Sequence, residues 1–220
     1  GSLVIGGVTP SPALFQQVRA AWEGRIHVLI RPRFGDFLYT DREGAQMEEE
    51  IASFRELGAD GVVIGALTPD GALDEALLGR LMAQAGNLSV TLHRAFDMAR
   101  DPIEALERAV ALGFQTILTS GQAPSATQGM DCLRALRERA EGRISIMAGS
   151  GVKEENILSI HEKTGILSFH TTGRRGSIDS GMGYPKKGVS MGLPSLSEYE
   201  IWQTDEETFR ACAELVHSLR

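Results

Sequence analysis

At 220 residues the chain has the length of a single domain, residues 1–220, and its 42% hydrophobic and 23% charged residues are those of an ordinary globular protein. A net charge of −7 and a pI near 5.3 speak against a nucleic-acid partner and against an anionic membrane surface, both of which require a basic face. No apolar run reaches the length of a membrane span, no signal-peptide pattern is present, and Cys132 and Cys212 lack any CxxC or Cys/His spacing, so they read as reduced thiols of a cytosolic protein.

In chain order, residues 3–5 read as the tail of a strand, and Ser11 before Pro12 predicts the start of a first helix. The β-branched run 26–31 predicts the first full strand. Thr40 or Asp41 caps the next helix, which Gly58 ends. Further strands are predicted at 61–65, 90–93, 116–120, 144–148 and 167–171. Asp74 and Asp101-Pro102 begin intervening helices, and Gly86, Gly113 and Gly142 end them. Residues 173–193, with Arg174, Arg175, Lys186 and Lys187, break the repeat and read as a long polar loop. A final helix runs from about residue 205.

Strand starts recur about every 30 residues, the length of a βα unit, so the sheet is parallel with helices outside. Within the strands one parity is apolar: Ile26, Val28, Ile30; Val90, Leu92; Ile144, Ile146; Phe169. The other carries His27, Arg31, Thr91, His93, Ser145, Ser168 and His170. A doubly wound sheet is apolar on both faces, whereas a barrel can hold a polar inner layer, so the alternation favours a (β/α)8 TIM-barrel type. Six good strands fall short of eight. The expectation is a single barrel lacking most of its first one to two strands and its first helix, with a gap in the wall there.

Sites in such barrels lie at the strand C-termini. Those ends carry Arg31-Pro32-Arg33-Phe34-Gly35-Asp36, then His93-Arg94-Ala95-Phe96-Asp97, Thr119-Ser120-Gly121, Gly149-Ser150-Gly151 and His170. His93, His170 and Asp97 are the candidate catalytic groups. Arg31, Arg33, Asp36, Arg94, Ser120, Gly149, Ser150 and Gly151 are the candidate ligand-binding ones. Arginines clamp carboxylates or phosphates, histidines accept protons or bind metal, and a glycine turn before a helix lets backbone N–H groups approach an anion. The same residues also fit a structural reading, with Arg31 and Arg94 paired to Asp36 and Asp97. The four lysines, Lys153, Lys163, Lys186 and Lys187, all lie off the strands, which speaks against a strand-borne Schiff base. HExxH, P-loop and GxSxG motifs are absent. Met47, Met82 and Met98 read as packing rather than as copper ligands.

Taken together, Gly6-Gly7-Val8-Thr9-Pro10-Ser11, Ile30-Arg31-Pro32-Arg33, Gly65-Ala66-Leu67-Thr68-Pro69-Asp70-Gly71, Leu92-His93-Arg94-Ala95-Phe96-Asp97-Met98, Leu118-Thr119-Ser120-Gly121, Phe169-His170, Asp179-Ser180-Gly181-Met182 and Ser197-Glu198-Tyr199 resemble the CutC copper homeostasis family over essentially the whole chain. The resemblance implies a (β/α)8-type barrel, a cytoplasmic location, a dimer or higher homo-oligomer, and copper or another metal as ligand, without an established reaction. Phe34 and Ser150 stand where the family usually has glycine. The family's opening strand, helix and second strand are largely absent from this sequence, and the cysteines near those strands, proposed as copper ligands in some members, have no counterpart in it. Two functions follow as expectations. One is a metal-linked CutC-like protein; the other is a barrel enzyme acting on a small anionic metabolite at its rim.

Overall fold

The computed structural model describes residues 6–174, 176–184 and 197–219. The expected strand at 3–5 and the side chains of Arg175, Lys186 and Lys187 lie outside them. All six expected strands form, five a little shorter than their runs and the third shifted by one residue: β1 His27–Leu29, β2 Gly61–Ile64, β3 Ser89–Leu92, β4 Thr116–Thr119, β5 Ser145–Ala148 and β6 Ser168–Phe169. They pair in parallel in the order β1-β2-β3-β4-β5-β6. Helices α1 Pro12–Ala21, α2 Asp41–Glu56, α3 Glu75–Ala85, α4 Pro102–Leu112, α5 Met130–Ala140 and α6 Glu154–Thr164 alternate with them. The result is a half-barrel wall. Among the described residues β1 and β6 are not paired with each other, so both present an open edge.

Beyond β6 the expectation of an unstructured loop is partly overturned. β7 Ser177–Asp179 pairs antiparallel with β8 Glu200–Trp202, and this exposed ribbon leads into α7 Glu206–Ser218. The ribbon is held by backbone pairing and local turns rather than by core burial, which is why hydrophobic alternation does not announce it. Among the described residues no helix is long and apolar enough to cross a membrane.

The strand parity is realised as a two-sided wall. Val28, Ile30, Val62, Ile64, Val90, Leu92, Ile117 and Ile146 are buried in one cluster with Met47, Ile51, Phe54, Leu78, Leu81, Leu106, Leu133, Ile157 and Ile160 from the helices. The opposite face carries the polar parity. A Cβ placed on Gly61 would sit 2.8 Å from the His27 ring, and one on Gly149 would sit 3.5 Å from the His170 Cβ.

The helix starts follow their caps. Ser11 accepts from Leu14 N, Asp74 from Leu77 N, and Asp101 from Ile103 N and Glu104 N. Thr40, not Asp41, caps α2: its hydroxyl accepts from Glu43 N at 3.3 Å while Glu43 accepts from Thr40 N at 2.8 Å. At the other end of α4, Gly113 takes the left-handed conformation, φ 88°, that terminates a helix without a Cβ clash. Removing the reciprocal cap with Thr40→Ala is expected to lower unfolding stability by about 1 kcal/mol in urea melts. An unchanged midpoint would show that the cap adds nothing.

Candidate functional site

The loop after β1 turns its charges inward on itself. Arg31 is 8% exposed. Its Nη1 donates to Gly7 O at 3.2 Å, its Nη2 to Gly35 O at 2.8 Å, and its guanidinium lies 5.1 Å from the Phe37 ring centre. Arg33 pairs with Glu43 at 2.5 Å and with Asp36 at 3.0 Å, and donates to Leu38 O. Its charge is held on chiefly by the Glu43 hydrogen bond. Arg31, Arg33 and Asp36 therefore brace the loop.

His93 is buried behind that loop. Its ring packs 4.9 Å from Phe37, and a Cβ on Gly65 would approach it to 2.5 Å, so only glycine leaves the ring its place. Nδ1 accepts from Ala95 N at 3.1 Å, which puts the proton on Nε2. Burial, and then the Arg31 charge, hold its pKa down to about 3. It is a neutral imidazole throughout the physiological range.

Asp97 sits in a short 3-10 helix, Arg94–Met98, that follows β3. Its side chain is 5% exposed. The carboxylate accepts from Arg94 Nε at 2.7 Å, Thr119 Oγ1 at 2.5 Å, Ser120 N at 3.0 Å and Gln122 N at 3.2 Å, with Ser120 Oγ 3.0 Å away. These bonds tie the loops after β3 and β4 together. They also hold Arg94, whose Nη2 reaches Ser120 Oγ at 3.1 Å.

A cavity of about 1010 Å³ opens between the β1 and β6 edges and reaches the C-terminal ends of β5 and β6. Arg94, Ser150, Gly151, Lys153, His170, Thr171, Thr172 and Arg174 line its polar side. Ser150 has φ 74° and Gly151 φ 67°. Both are left-handed, which gives a physical reason for the family's glycine at the serine position. Ser150 Oγ donates to Pro124 O, and Asn156 closes the turn through Gly151 O and Lys153 N. Burial, followed by the Arg94 charge, lowers the His170 pKa, so its ring is neutral near pH 7 and open to the cavity.

The structure thus separates the expected site residues. Arg94, His170, Ser150 and Gly151 meet at the cavity, with Ser120 and Asp97 behind Arg94. Gly149 lies beneath His170 and against Leu118. Arg31, Arg33, Asp36 and His93 are absent from the lining. Lys153 and Arg174 join it although neither was singled out from the sequence. The signals for them were the basic residues after β6 and the lysine opening α6.

Metal finds less support. Among the described residues no three His, Cys, Asp or Glu side chains come together. Cys132 is half-buried on α5 and Cys212 is buried on α7, and burial raises both thiol pKa values. This donor set does not fit the sulfur-rich site that soft Cu(I) favours.

A model of the CutC family matches residues 1–175. A family protein CutC of Bacteroides fragilis is 50% identical over 197 residues, 89% of this chain and 78% of that protein. The Homo sapiens copper homeostasis protein cutC homolog is 45% identical over 201 residues, 91% of this chain and 73% of that one. Among solved structures, the putative copper homeostasis protein CutC of Streptococcus agalactiae superposes with a TM-score of 0.74 at 34% identity, covering 76% of this chain and 83% of that chain. A chain described as "QR15, an Aldolase" shares the fold at a TM-score of 0.55 and 18% identity, covering 72% of this chain and 73% of its own.

Proposed function

This chain belongs to the CutC family, and from the geometry of its cavity we propose that it binds a small carboxylate- or phosphate-bearing molecule there, with His170 placed to take a proton from the bound molecule. One observation carries the reading. The chain has 29 acidic against 22 basic residues, yet among the described residues the cavity lining holds Arg94, Lys153 and Arg174 and not one carboxylate. Asp97 lies behind Arg94 and fixes its guanidinium toward Ser120, so part of the ordering cost of binding is already met. Hydroxyls of Thr171 and Thr172 and the left-handed turn at Ser150-Gly151 add short-range polar groups around the same space.

The strict β1 to β6 order and its crossover helices support a (β/α)8-type architecture in which this wall is the larger part. Two unpaired cysteines support a reducing, cytosolic setting. The copper role in the names of the human and mouse relatives has no matching donor set among the described residues.

Calorimetry with inorganic phosphate and a panel of phosphorylated and carboxylated metabolites tests the proposal. At least one anion should bind, and more weakly at higher salt. Arg174→Ala is the clean variant, because among the described residues Arg174 makes a long contact to Thr172 Oγ1 and lies over the Trp202 ring. It should weaken binding roughly tenfold, the worth of one charged hydrogen bond. A panel in which nothing binds, or an Arg174→Ala variant that binds equally well, would overturn the reading.

A further inference from the structure

We infer that Asp70-Gly71, in the loop between β2 and α3, is a modification site: its aspartyl linkage isomerises to isoaspartate once Arg100 releases the Asp70 carboxylate. An Asp-Gly pair is open to this change because glycine puts no side chain in the way of its own amide nitrogen. The step needs only solvent. Gly71 N attacks Asp70 Cγ, and an N–Cγ bond forms. One carboxyl oxygen leaves as water, taking the carboxyl and amide protons, and a five-membered imide remains. Water then adds at the main-chain carbonyl of Asp70 and the original C–N bond breaks. The chain now runs through Cβ and Cγ and carries a free α-carboxylate.

The turn itself requires the glycine. Thr68-Pro69-Asp70-Gly71 is closed by Gly71 N donating to Thr68 O at 3.0 Å, and Gly71 is left-handed, φ 81°. A Cβ there would be strained and would sit 3.3 Å from the Arg100 Cβ. Protection comes from contacts instead. Thr68 Oγ1 donates to Asp70 Oδ1, and Arg100 Nη1 donates to Oδ2. Whichever oxygen leaves, one of these bonds is lost with it. Attack also removes the proton that Gly71 N gives to Thr68 O. The Thr68 hydrogen bond first, and the Arg100 charge after it, lower the Asp70 pKa and keep the carboxyl ionised, the form from which oxygen leaves least readily. The two side chains of the ion pair are 63% and 46% exposed, so water reaches the site and the pair is weakly held. Thr68 N donates to Ala72 O at 2.9 Å, and Gly71 O accepts from Arg100 N at 2.9 Å. An extra main-chain methylene between them lengthens the turn and uncouples the loops after β2 and β3.

Asp60-Gly61, the other Asp-Gly pair of the sequence, is an internal control. Gly61 opens β2 and donates its N–H to Ile26 O at 3.3 Å. The Asp60 carboxylate accepts from Ile26 N at 2.8 Å and from Arg19 Nη1 at 2.9 Å. This pair is freed only when the sheet opens. Native protein, protein unfolded in urea and native Arg100→Ala are incubated side by side in one mildly acidic buffer. Isoaspartate at each position is read by electron-transfer fragmentation of the peptides and by labelling with an isoaspartyl methyltransferase. In urea both pairs should isomerise. In the native protein residue 70 should react at least about tenfold more slowly than in urea, the effect of one closed hydrogen bond, and residue 60 more slowly still. Arg100→Ala should speed residue 70 about two- to fivefold, the range open to an exposed ion pair, and leave residue 60 unchanged. The bond from Arg100 N to Gly71 O survives that substitution, so the loop keeps its place. Arg100→Lys, which retains the charge, should fall between the two. Equal rates at residue 70 in wild type and Arg100→Ala, or a native rate equal to that in urea, would overturn the inference. So would a rise at residues 60 and 70 together, which would trace the gain to global unfolding. Absence of isoaspartate at residue 70 even in urea would remove the site altogether.

Discussion

Asp97→Ala is expected to destabilise the protein by about 2–4 kcal/mol, the cost of leaving several enclosed donors without an acceptor, discounted because Arg94 is 44% exposed. Four donors converge on this carboxylate: Arg94 Nε, Thr119 Oγ1, Ser120 N and Gln122 N. Truncation leaves them facing a hole too enclosed for bulk water, with a side chain that was 5% exposed. Asp97→Asn keeps the shape but points an amide N–H₂ at groups that are themselves donors, so it should cost about 2–3 kcal/mol. Against a typical total of about 5–15 kcal/mol, either loss is large. Urea denaturation without any ligand measures it. A structural hub predicts the full loss under those conditions. Variants within about 0.5 kcal/mol of wild type would show that Asp97 braces nothing and would return it to the role of a reactive group.

His93 should make stability fall as the solution is acidified. The unfolded histidine takes up a proton near pH 6.5, but the folded one, desolvated and facing Arg31, does so only at about pH 3. Between those values the unfolded state binds the extra proton. The stabilisation is therefore complete above about pH 6.5 and is lost on going down toward pH 3, at about 1.4 kcal/mol per pH unit. His27 and His170 are lowered in the same sense by burial and add to the slope. His93→Asn offers an amide oxygen to Ala95 N in place of Nδ1 and does not titrate. Whatever its absolute stability, its slope between pH 4 and 6 should be shallower by about 1.4 kcal/mol per unit. Ring resonances of His93 titrating near pH 6.5, or identical slopes, would contradict the buried neutral imidazole.

How much of this was legible beforehand depended on what kind of information each feature needs. The six strands were legible because β-branched runs with a parity of two recur at βα spacing. The caps at Ser11, Thr40, Asp74 and Asp101 were legible because capping is local chemistry. The β7–β8 ribbon was not, since Ser177-Ile178-Asp179 has no apolar alternation and finds its partner only after a long excursion. The (β/α)8-type barrel expected to lack most of its first one to two strands, with a gap in its wall, meets a described parallel wall of six strands with open edges.

The site followed the same division. Strand ends and inward parity picked out Arg94, His170, Ser150 and Gly151. Parity alone could not show that loop carbonyls of Gly7 and Gly35 already occupy Arg31, or that Glu43 already holds Arg33. Such partners are far enough along the chain that only the fold brings them together. Lys153 and Arg174 escaped for the converse reason. They lie off the strands, and their approach to the cavity depends on how the segments around α6 and β6 turn.

The most direct test of the anion site reads His170 itself. Of the five histidines, His170 and His27 line the cavity, His93 is sealed behind Phe37, and His161 and His217 lie on the outer helices α6 and α7. Ring resonances followed through pH by NMR, with and without saturating inorganic phosphate, report the charge placed beside each. A phosphate held by Arg94, Lys153 and Arg174 favours the imidazolium form, so the His170 pKa should rise on binding. A His170 titration unmoved by phosphate at saturation would contradict an anion site in this cavity.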